Sequence, residues 1–291
     1  MILLAEAPEL LPPSASRDDI TRSLQAARIA GARIYTIPPD FAQCETAENA
    51  LWHIPNQDAK TPAIWLGYIP DFARYQAIYA AALAKNMVLL NAPDQHLRAQ
   101  EFDFAYPFIE DLTPRSLTLH SPEDCAGAAR ELGFPIFLKG AVQSRKARGW
   151  RACVAQNQSE LETLADALWQ LENRSRGRVI ARELVRLRHT RTHGDFPLGR
   201  EFRVFVLDGE VVSYGYYWPG DDPLSALNSS ETAAVTALAR EAARRLQVPY
   251  LAVDIGQLEN GNWIIIEVGD AQFAGLSCNE PLALWNRLVN P

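Results

Sequence analysis

The sequence predicts an α/β amino-terminal part followed by an α+β part built on antiparallel sheets. Three observations carry this. Short β-branched runs alternate with helix-length segments over residues 1–90. The order becomes strand, loop, strand, helix, strand over residues 134–185. Two hairpins then follow, one turning at Asp208-Gly209 and one at Asn260-Gly261. Alternation at that spacing calls for a small parallel sheet with helices on its faces, whereas tight turns join antiparallel pairs.

Residues 2–5 form the first strand of this reading. Ser16-Arg17-Asp18-Asp19 opens a helix as a capping box, with Gly31 as its stop. Strands are expected at 33–37, 63–67 and 87–90, with an Ala-rich helix at 72–85. No GxGxxG follows the first strand, so nothing marks a dinucleotide site. Residues 93–115 carry prolines and aromatics and read as an ordered crossing. A helix begins at Ser121-Pro122 and ends at Gly133, and a buried-type strand over 134–140 nearly ends on Lys139. A basic loop over 141–150 leads to a strand at 151–155. Ser159-Glu160-Leu161-Glu162 caps a helix with Leu161, Leu164, Ala165, Leu168 and Leu171 on one face, and a strand at 178–185 follows. Residues 186–199 read as an exposed excursion. The hairpin strands at 200–207 and 210–217, a helix at 231–246 and a last helix at 281–289 complete the chain. The expected division is residues 1–92, a linker 93–115, then 116–180 and 181–291.

Composition narrows the function classes. The chain has 291 residues, 48% hydrophobic and 22% charged, as in an ordinary globular protein. No apolar run reaches the roughly 20 residues of a bilayer span. Cys44, Cys125, Cys153 and Cys278 form no CxxC, which points to reduced thiols in the cytoplasm and away from zinc. The net charge of −7 argues against a general polyanion binder, yet residues 139–203 carry half of all Lys and Arg. That local excess of cations suits a phosphorylated ligand.

The sharpest chemical signal lies near the carboxyl end. Val253-Asp254-Ile255-Gly256 and Ile264-Ile265-Ile266-Glu267-Val268-Gly269-Asp270 each set a carboxylate inside an apolar strand. Burying one without a partner is costly, and two on neighbouring strands repel unless a cation lies between them. Oxygen ligands favour Mg²⁺ carrying nucleotide phosphates. Lys139 at a strand end and Lys146 in the Arg145–Gly149 loop are candidate phosphate contacts. The Glu183-Leu184-Val185 strand end offers backbone groups and apolar surface for a base, and Glu201 could accept ribose hydroxyls, with Arg203 on its face.

That ordered set resembles the ATP-grasp fold over residues 116–275, preceded by a Rossmann-like domain. Gly199-Arg200-Glu201-Phe202-Arg203 and Glu267-Val268-Gly269-Asp270 are similar to the clade named for two arginines and a lysine. The resemblance implies a Rossmann-like domain followed by a two-part ATP-grasp fold. Lys139 and Lys146 would bind phosphate, Glu183, Leu184 and Val185 would form the adenine hinge, and Glu201 would hold ribose. Asp254 and Glu267 would bind Mg²⁺, and Arg203, with Lys146, would act in catalysis. It also implies ATP and Mg²⁺ as cofactors and a cytoplasmic ligase joining a carboxylate to an amine through an acyl-phosphate. Its substrates would be small or peptide-like, and pairing of two copies would be in keeping with the fold. The usual Glu-x-Asn is here Glu267-Val268-Gly269, so Asp270 is the expected replacement ligand. That departure leaves open a nucleotide-binding regulatory module without turnover. Seven arginines over 174–191 raise an enzyme of nucleic-acid ends, against which the acidic whole chain argues. His189 and His193 share an i,i+4 spacing, but the Gly and Pro around them disfavour a metal site there. Arg17, Tyr106 and Arg115 are candidate substrate groups.

Overall fold

The computed structural model describes residues 1–39 and 44–290. Strand β1 (Ile2–Glu6) is buried at every position and lies inside a parallel sheet. It pairs with β2 (Arg33–Ile37) on one side and β3 (Thr61–Leu66) on the other, and β4 (Met87–Leu89) extends the sheet beyond β3. Helix α1 (Ala15–Ile29) is capped by Ser14, whose Oγ accepts the Arg17 N–H at 3.1 Å, so the cap stands two residues before the expected box. Short α2 (Ala47–Ala50) and α3 (Phe72–Leu83), capped by Asp71, cover the sheet.

The expected linker is ordered but helical. Helix α4 (Pro93–Gln100) places its proline at the first turn, where no N–H is needed, and α5 (Phe102–Ile109) buries Phe102, Ala105 and Ile109 on one stripe. Pro107 inside α5 signals a break from sequence, but the apolar stripe prevails. The second sheet is antiparallel in the order β5 (Ser116–Leu119), β8 (Val179–Glu183), β6 (Ile136–Gly140), β7 (Val154–Ala155). Its core is shared with α6 (Asp124–Leu132) and α7 (Gln158–Trp169), followed by the single turn α8 (Glu172–Ser175). Strand β8 runs to Glu183, across the expected boundary at 180/181. β7 is shorter than the expected strand because Trp150–Ala152 coil into a 3-10 turn. The excursion at 186–199 contains an antiparallel ribbon of β9 (Arg191–His193) and β10 (Phe196–Leu198).

The third sheet has the order β12 (Glu210–Tyr216), β11 (Glu201–Leu207), β13 (Tyr250–Gln257), β14 (Trp263–Asp270). Helix α9 (Ser229–Leu246), capped by Asn228 and Glu231, packs beneath it on Val204, Val253, Ile255 and Ile265. The opposite face presents Phe205, Leu207, Tyr250 and Ala252 to Leu3, Ala5, Ile64 and Leu66 of the parallel sheet. Helix α10 (Pro281–Val289) closes that shared core with Trp285 and Leu288. One apolar core therefore fixes the first sheet against the third, and its burial stabilises that contact by about 25 cal/mol per Å² of apolar surface.

Candidate nucleotide and metal site

A cavity of about 420 Å³ opens between the second and third sheets. Lys139, Arg182, Glu183, Leu184 and Val185 line it from the second sheet, Glu201 and Glu267 from the third, and Lys146 from the loop between β6 and β7. Seven of the expected site residues thus meet at one cavity. Leu187, His189, Phe196 and Pro197 of the 186–199 segment line it as well, so the excursion is a wall of the site. Neither histidine has metal-binding company; among the described residues no group of three or more His, Cys, Asp or Glu could hold an ion.

Asp254 and Glu267 are direct cross-strand partners on β13 and β14. Residues so paired share a face, and this pair shares it with Glu201 and Arg203 on β11. Asp254 is buried and receives a bidentate pair from Arg203, whose Nε and Nη2 each donate at 2.8 Å. Glu267 receives Lys139 Nζ. The two acids are therefore not an edge hairpin turned to water: each already answers a cation. Two adjacent carboxylates fit a hard divalent cation that takes its remaining oxygens from phosphates and water.

The charges interlock. Burial pushes the Glu201 carboxyl up to about 7; Lys146 opposes this, while Asp254 and Glu267 add to it. Burial pulls Lys139 below its ordinary value, partly offset by Glu267. For Lys146 burial acts downward, but Tyr217, Glu201, Glu267 and Asp254 outweigh it and leave the ammonium raised. Its Nζ lies 4.3 Å from the Tyr217 ring and 4.9 Å from that of Trp218. Glu267 is held below its usual range: burial opposes this, and Lys139 and Lys146 prevail.

Asp270 requires a correction. It lies three residues after Glu267, and strand alternation turns it to the other face. There it is fully buried, accepting from Asn91 Nδ2 at 2.8 Å and the Gln272 N–H at 3.0 Å, with His96 Nδ1 at 2.8 Å. It joins β14 to α4 and is not beside the Asp254–Glu267 pair. The substrate guesses also disperse. Arg115 pairs with Glu131 at the surface, and the Tyr106 hydroxyl accepts the Ser116 N–H. Arg17 contributes its backbone to the α1 cap.

Sequence reasoning missed Arg182. It is buried under the cavity, donating to Ser116 Oγ, Thr113 Oγ1 and the Ile266 carbonyl, with its guanidinium 4.5 Å from the Phe102 ring. Burial lowers it to about 10, against Glu267 and Tyr106. The signal was present: a cation in Val-Ile-Ala-Arg-Glu is as anomalous as Asp254 in its own strand. The arginine run over 174–191 presents no continuous basic face. Arg178 pairs with Glu101 and Asp103, Arg182 is buried, and Arg191 reaches Asp222.

The sequence profile of the ATP-grasp domain, family 3 of the clade named for two arginines and a lysine, matches residues 127–288, more than half of the chain. The chain belongs to this ATP-grasp family. No curated protein matches it significantly. Solved structures share the ATP-grasp fold over essentially the whole chain. D-alanine–D-alanine ligase from Bacillus anthracis, complexed with ATP, superposes with a TM-score of 0.68 at 12% identity, covering 99% of this chain and 95% of that one. The RimK domain ATP-grasp protein from Sphaerobacter thermophilus gives 0.63 at 14%, covering 100% and 98%. The ATP-grasp ligase PsnB, complexed with a minimal precursor, gives 0.59 at 15%, covering 99% and 97%. In this ATP-grasp chain the cavity between the two antiparallel sheets is the candidate nucleotide site.

Proposed function

We propose that the protein is an ATP-dependent, Mg²⁺-requiring ligase that joins a carboxylate to an amine. The observation that carries this is the convergence of Lys139 and Lys146 with Glu267, and through it Asp254, around one cavity whose other end is apolar. In this reading Lys139 exchanges Glu267 for phosphate oxygens, and Lys146 covers them from its loop. The backbone of Glu183, Leu184 and Val185 meets the base edge, Phe196 and Pro197 cover its face, and Glu201 accepts from ribose hydroxyls. Asp254 and Glu267 would hold Mg²⁺, which when bound neutralises phosphate charge. Arg203 steadies the transferred phosphoryl group from beside Asp254.

The γ-phosphoryl group passes to a carboxylate oxygen of the substrate and ADP leaves. The amine nitrogen then bonds to the acyl carbon as the carbon–oxygen bond to phosphate breaks. Phosphate departs with that electron pair, and an amine proton passes to solvent. Named neighbours that are ligases, one of them complexed with a precursor, support small or peptide-like substrates. The test is ADP release by the full chain with Mg²⁺, ATP and pooled carboxylates and amines. ADP that depends on both pools is expected, and ATP binding without such ADP overturns the ligase reading.

One observation favours a second reading. Gly269 shares the face of Glu267 and supplies no side chain, while Asp270 is turned away. Such a site could bind nucleotide as a regulatory module without turnover. Normal Mg²⁺-dependent ATP affinity, lost in Glu267→Ala and accompanied by no hydrolysis in the parent chain, would establish it.

A further inference from the structure

The loop between β6 and β7 is fastened at its start from within the second sheet's own part of the chain. Val142 and Gln143 donate their N–H groups to the Arg174 carbonyl at 2.9 and 3.3 Å, and Arg174 Nη1 donates to the Ser144 carbonyl at 2.6 Å. Beyond Arg145 the main chain turns on itself: Arg148, Gly149, Ala152 and Cys153 each donate to the carbonyl three residues back. These two tight turns meet at Gly149, whose φ is +91°. The N–H of the next residue, Trp150, is answered from outside the loop, where Asp195 Oδ1 accepts it at 2.8 Å. Only a glycine lets the carboxylate so near, since a Cβ at position 149 would lie 2.5 Å from the same oxygen.

Asp195 is presented from the third sheet's side of the cavity. It is the second residue of the two-residue turn Gly194-Asp195 that joins β9 to β10, where His193 pairs with Phe196 and Gly194 takes a φ of +59°. The base of this ribbon is tied to the third sheet. The Arg188 N–H donates to the Gln257 carbonyl of β13 at 2.9 Å, and Thr190 Oγ1 donates to buried Asp222 at 2.8 Å. Asp222 also accepts the hydroxyl of Tyr216, on β12, at 2.9 Å. One residue past the tip, the Phe196 ring centroid lies 6.2 Å from that of Trp150, and both residues line the nucleotide cavity. Tyr217 and Trp218, which follow β12, hold the Lys146 ammonium against their rings. A loop that springs from the second sheet is thus gripped from the third at Lys146 and again at Trp150.

Resting on the nucleotide-site reading above, we infer that Asp195 is a positioning residue: by latching the ribbon to Trp150 it fixes the loop that carries Lys146 and sets how long the nucleotide stays. Held at its ends alone, the loop would have to be ordered as the nucleotide binds, and that entropy would count against affinity. The bond from Trp150 to Asp195 orders it beforehand and must break before the cavity opens on this side. The backbone N–H needs an acceptor at that place rather than a charge, so a carboxamide of the same shape should serve almost as well.

The test is stopped-flow release of fluorescent N-methylanthraniloyl-ADP from the full chain with Mg²⁺, chased with excess ATP. Asp195→Ala removes an exposed side chain and leaves the core intact. It should release the nucleotide about tenfold faster, as for one charge-assisted hydrogen bond. Asp195→Asn keeps the acceptor and should stay within about threefold of the parent. Limited trypsin digestion without nucleotide reads the loop itself, because Arg145, Lys146, Arg148 and Arg151 are cleavage sites within it. Cleavage there should be about tenfold faster in Asp195→Ala and near the parent rate in Asp195→Asn, with sites outside the loop and ribbon unchanged. Release from Asp195→Ala at the parent rate overturns the inference, as does failure of Asp195→Asn to restore it, or faster release with no change in loop cleavage. A parent chain that binds neither ADP nor ATP would overturn the nucleotide-site reading and this inference with it. Release and cleavage that follow these rules, with no acceptor-dependent ADP formation, would sink the ligase reading alone.

Discussion

Glu201→Gln isolates the electrostatic strain of the candidate site. Burial, with Asp254 and Glu267 nearby, lifts this carboxyl from an ordinary 4.5 to about 7, even against Lys146. Between those values the folded chain holds a proton that the unfolded chain has released. Stability from this group is therefore complete below about pH 4.5 and is lost as pH rises through about 7. The displacement corresponds to about 3 kcal/mol for a buried group. A glutamine of the same shape has no proton to lose, so its curve lacks that decline. Urea unfolding of both proteins at pH 5 and pH 8.5, followed by tryptophan fluorescence, measures the difference. Relative to the parent, Glu201→Gln should gain about 3 kcal/mol on going from the lower to the higher pH. Parallel curves would refute the argument, because they would mean that Glu201 is ionised throughout and that its neighbours do not constrain it.

Three further outcomes follow from the same geometry. Lys139→Met removes the ammonium facing Glu267, so ATP affinity measured by calorimetry should fall by about tenfold or more. Unfolding should become easier by about 2 kcal/mol, less than for a fully buried pair because Glu267 keeps Lys146 and some solvent. Gly149→Ala puts a Cβ 2.5 Å from Asp195 Oδ1 at a backbone φ of +91°, where Asp195 also accepts the Trp150 N–H at 2.8 Å. It should cost about 1–2 kcal/mol in thermal unfolding and weaken ATP binding by loosening the loop that carries Lys146. Asp270→Ala strands buried donors from Asn91, His96 and Gln272, and should lower stability by about 3 kcal/mol. The affinity of any folded fraction for Mg²⁺ and ATP should be unchanged; a selective loss of Mg²⁺ dependence would show Asp270 to be a ligand after all.

Much of the fold was legible because it follows from local rules. Arg33–Ile37 and Pro281–Val289 occupy the expected positions, and the Asp208-Gly209 turn joins the expected strands. Each is fixed by β-branched runs, proline at a helix start or a glycine turn, all readable within a few residues. Residues 93–109 were not, because prolines and aromatics argue locally against the helices that an apolar stripe against the third sheet stabilises. The 186–199 segment was legible as an insertion but not as a wall of the cavity. Its position comes from contacts made far along the chain, such as the Asp195 carboxylate on the backbone of Trp150.

The two acids of the last strand show the same division. Asp254 and Glu267 were found because a carboxylate in an apolar strand needs a reason, and the register supplies one by pairing them directly. Asp270 offered the same signal, and it too has a reason, but a different one: its partners Asn91 and His96 lie almost 180 residues earlier. Alternation along the strand separates the two cases from residue spacing alone, since residues three apart cannot share a face without a bulge between them. β14 has its register irregularity opposite Asp254/Ile255, before Glu267, so the rule holds for 267 and 270. The strand therefore has two charged faces with separate tasks. Glu267 meets the lysines of the nucleotide cavity, while Asp270 fastens the same strand to the helix that follows the parallel sheet. The metal-side carboxylate is thereby held on a strand that Asn91 and His96 fasten from its other face.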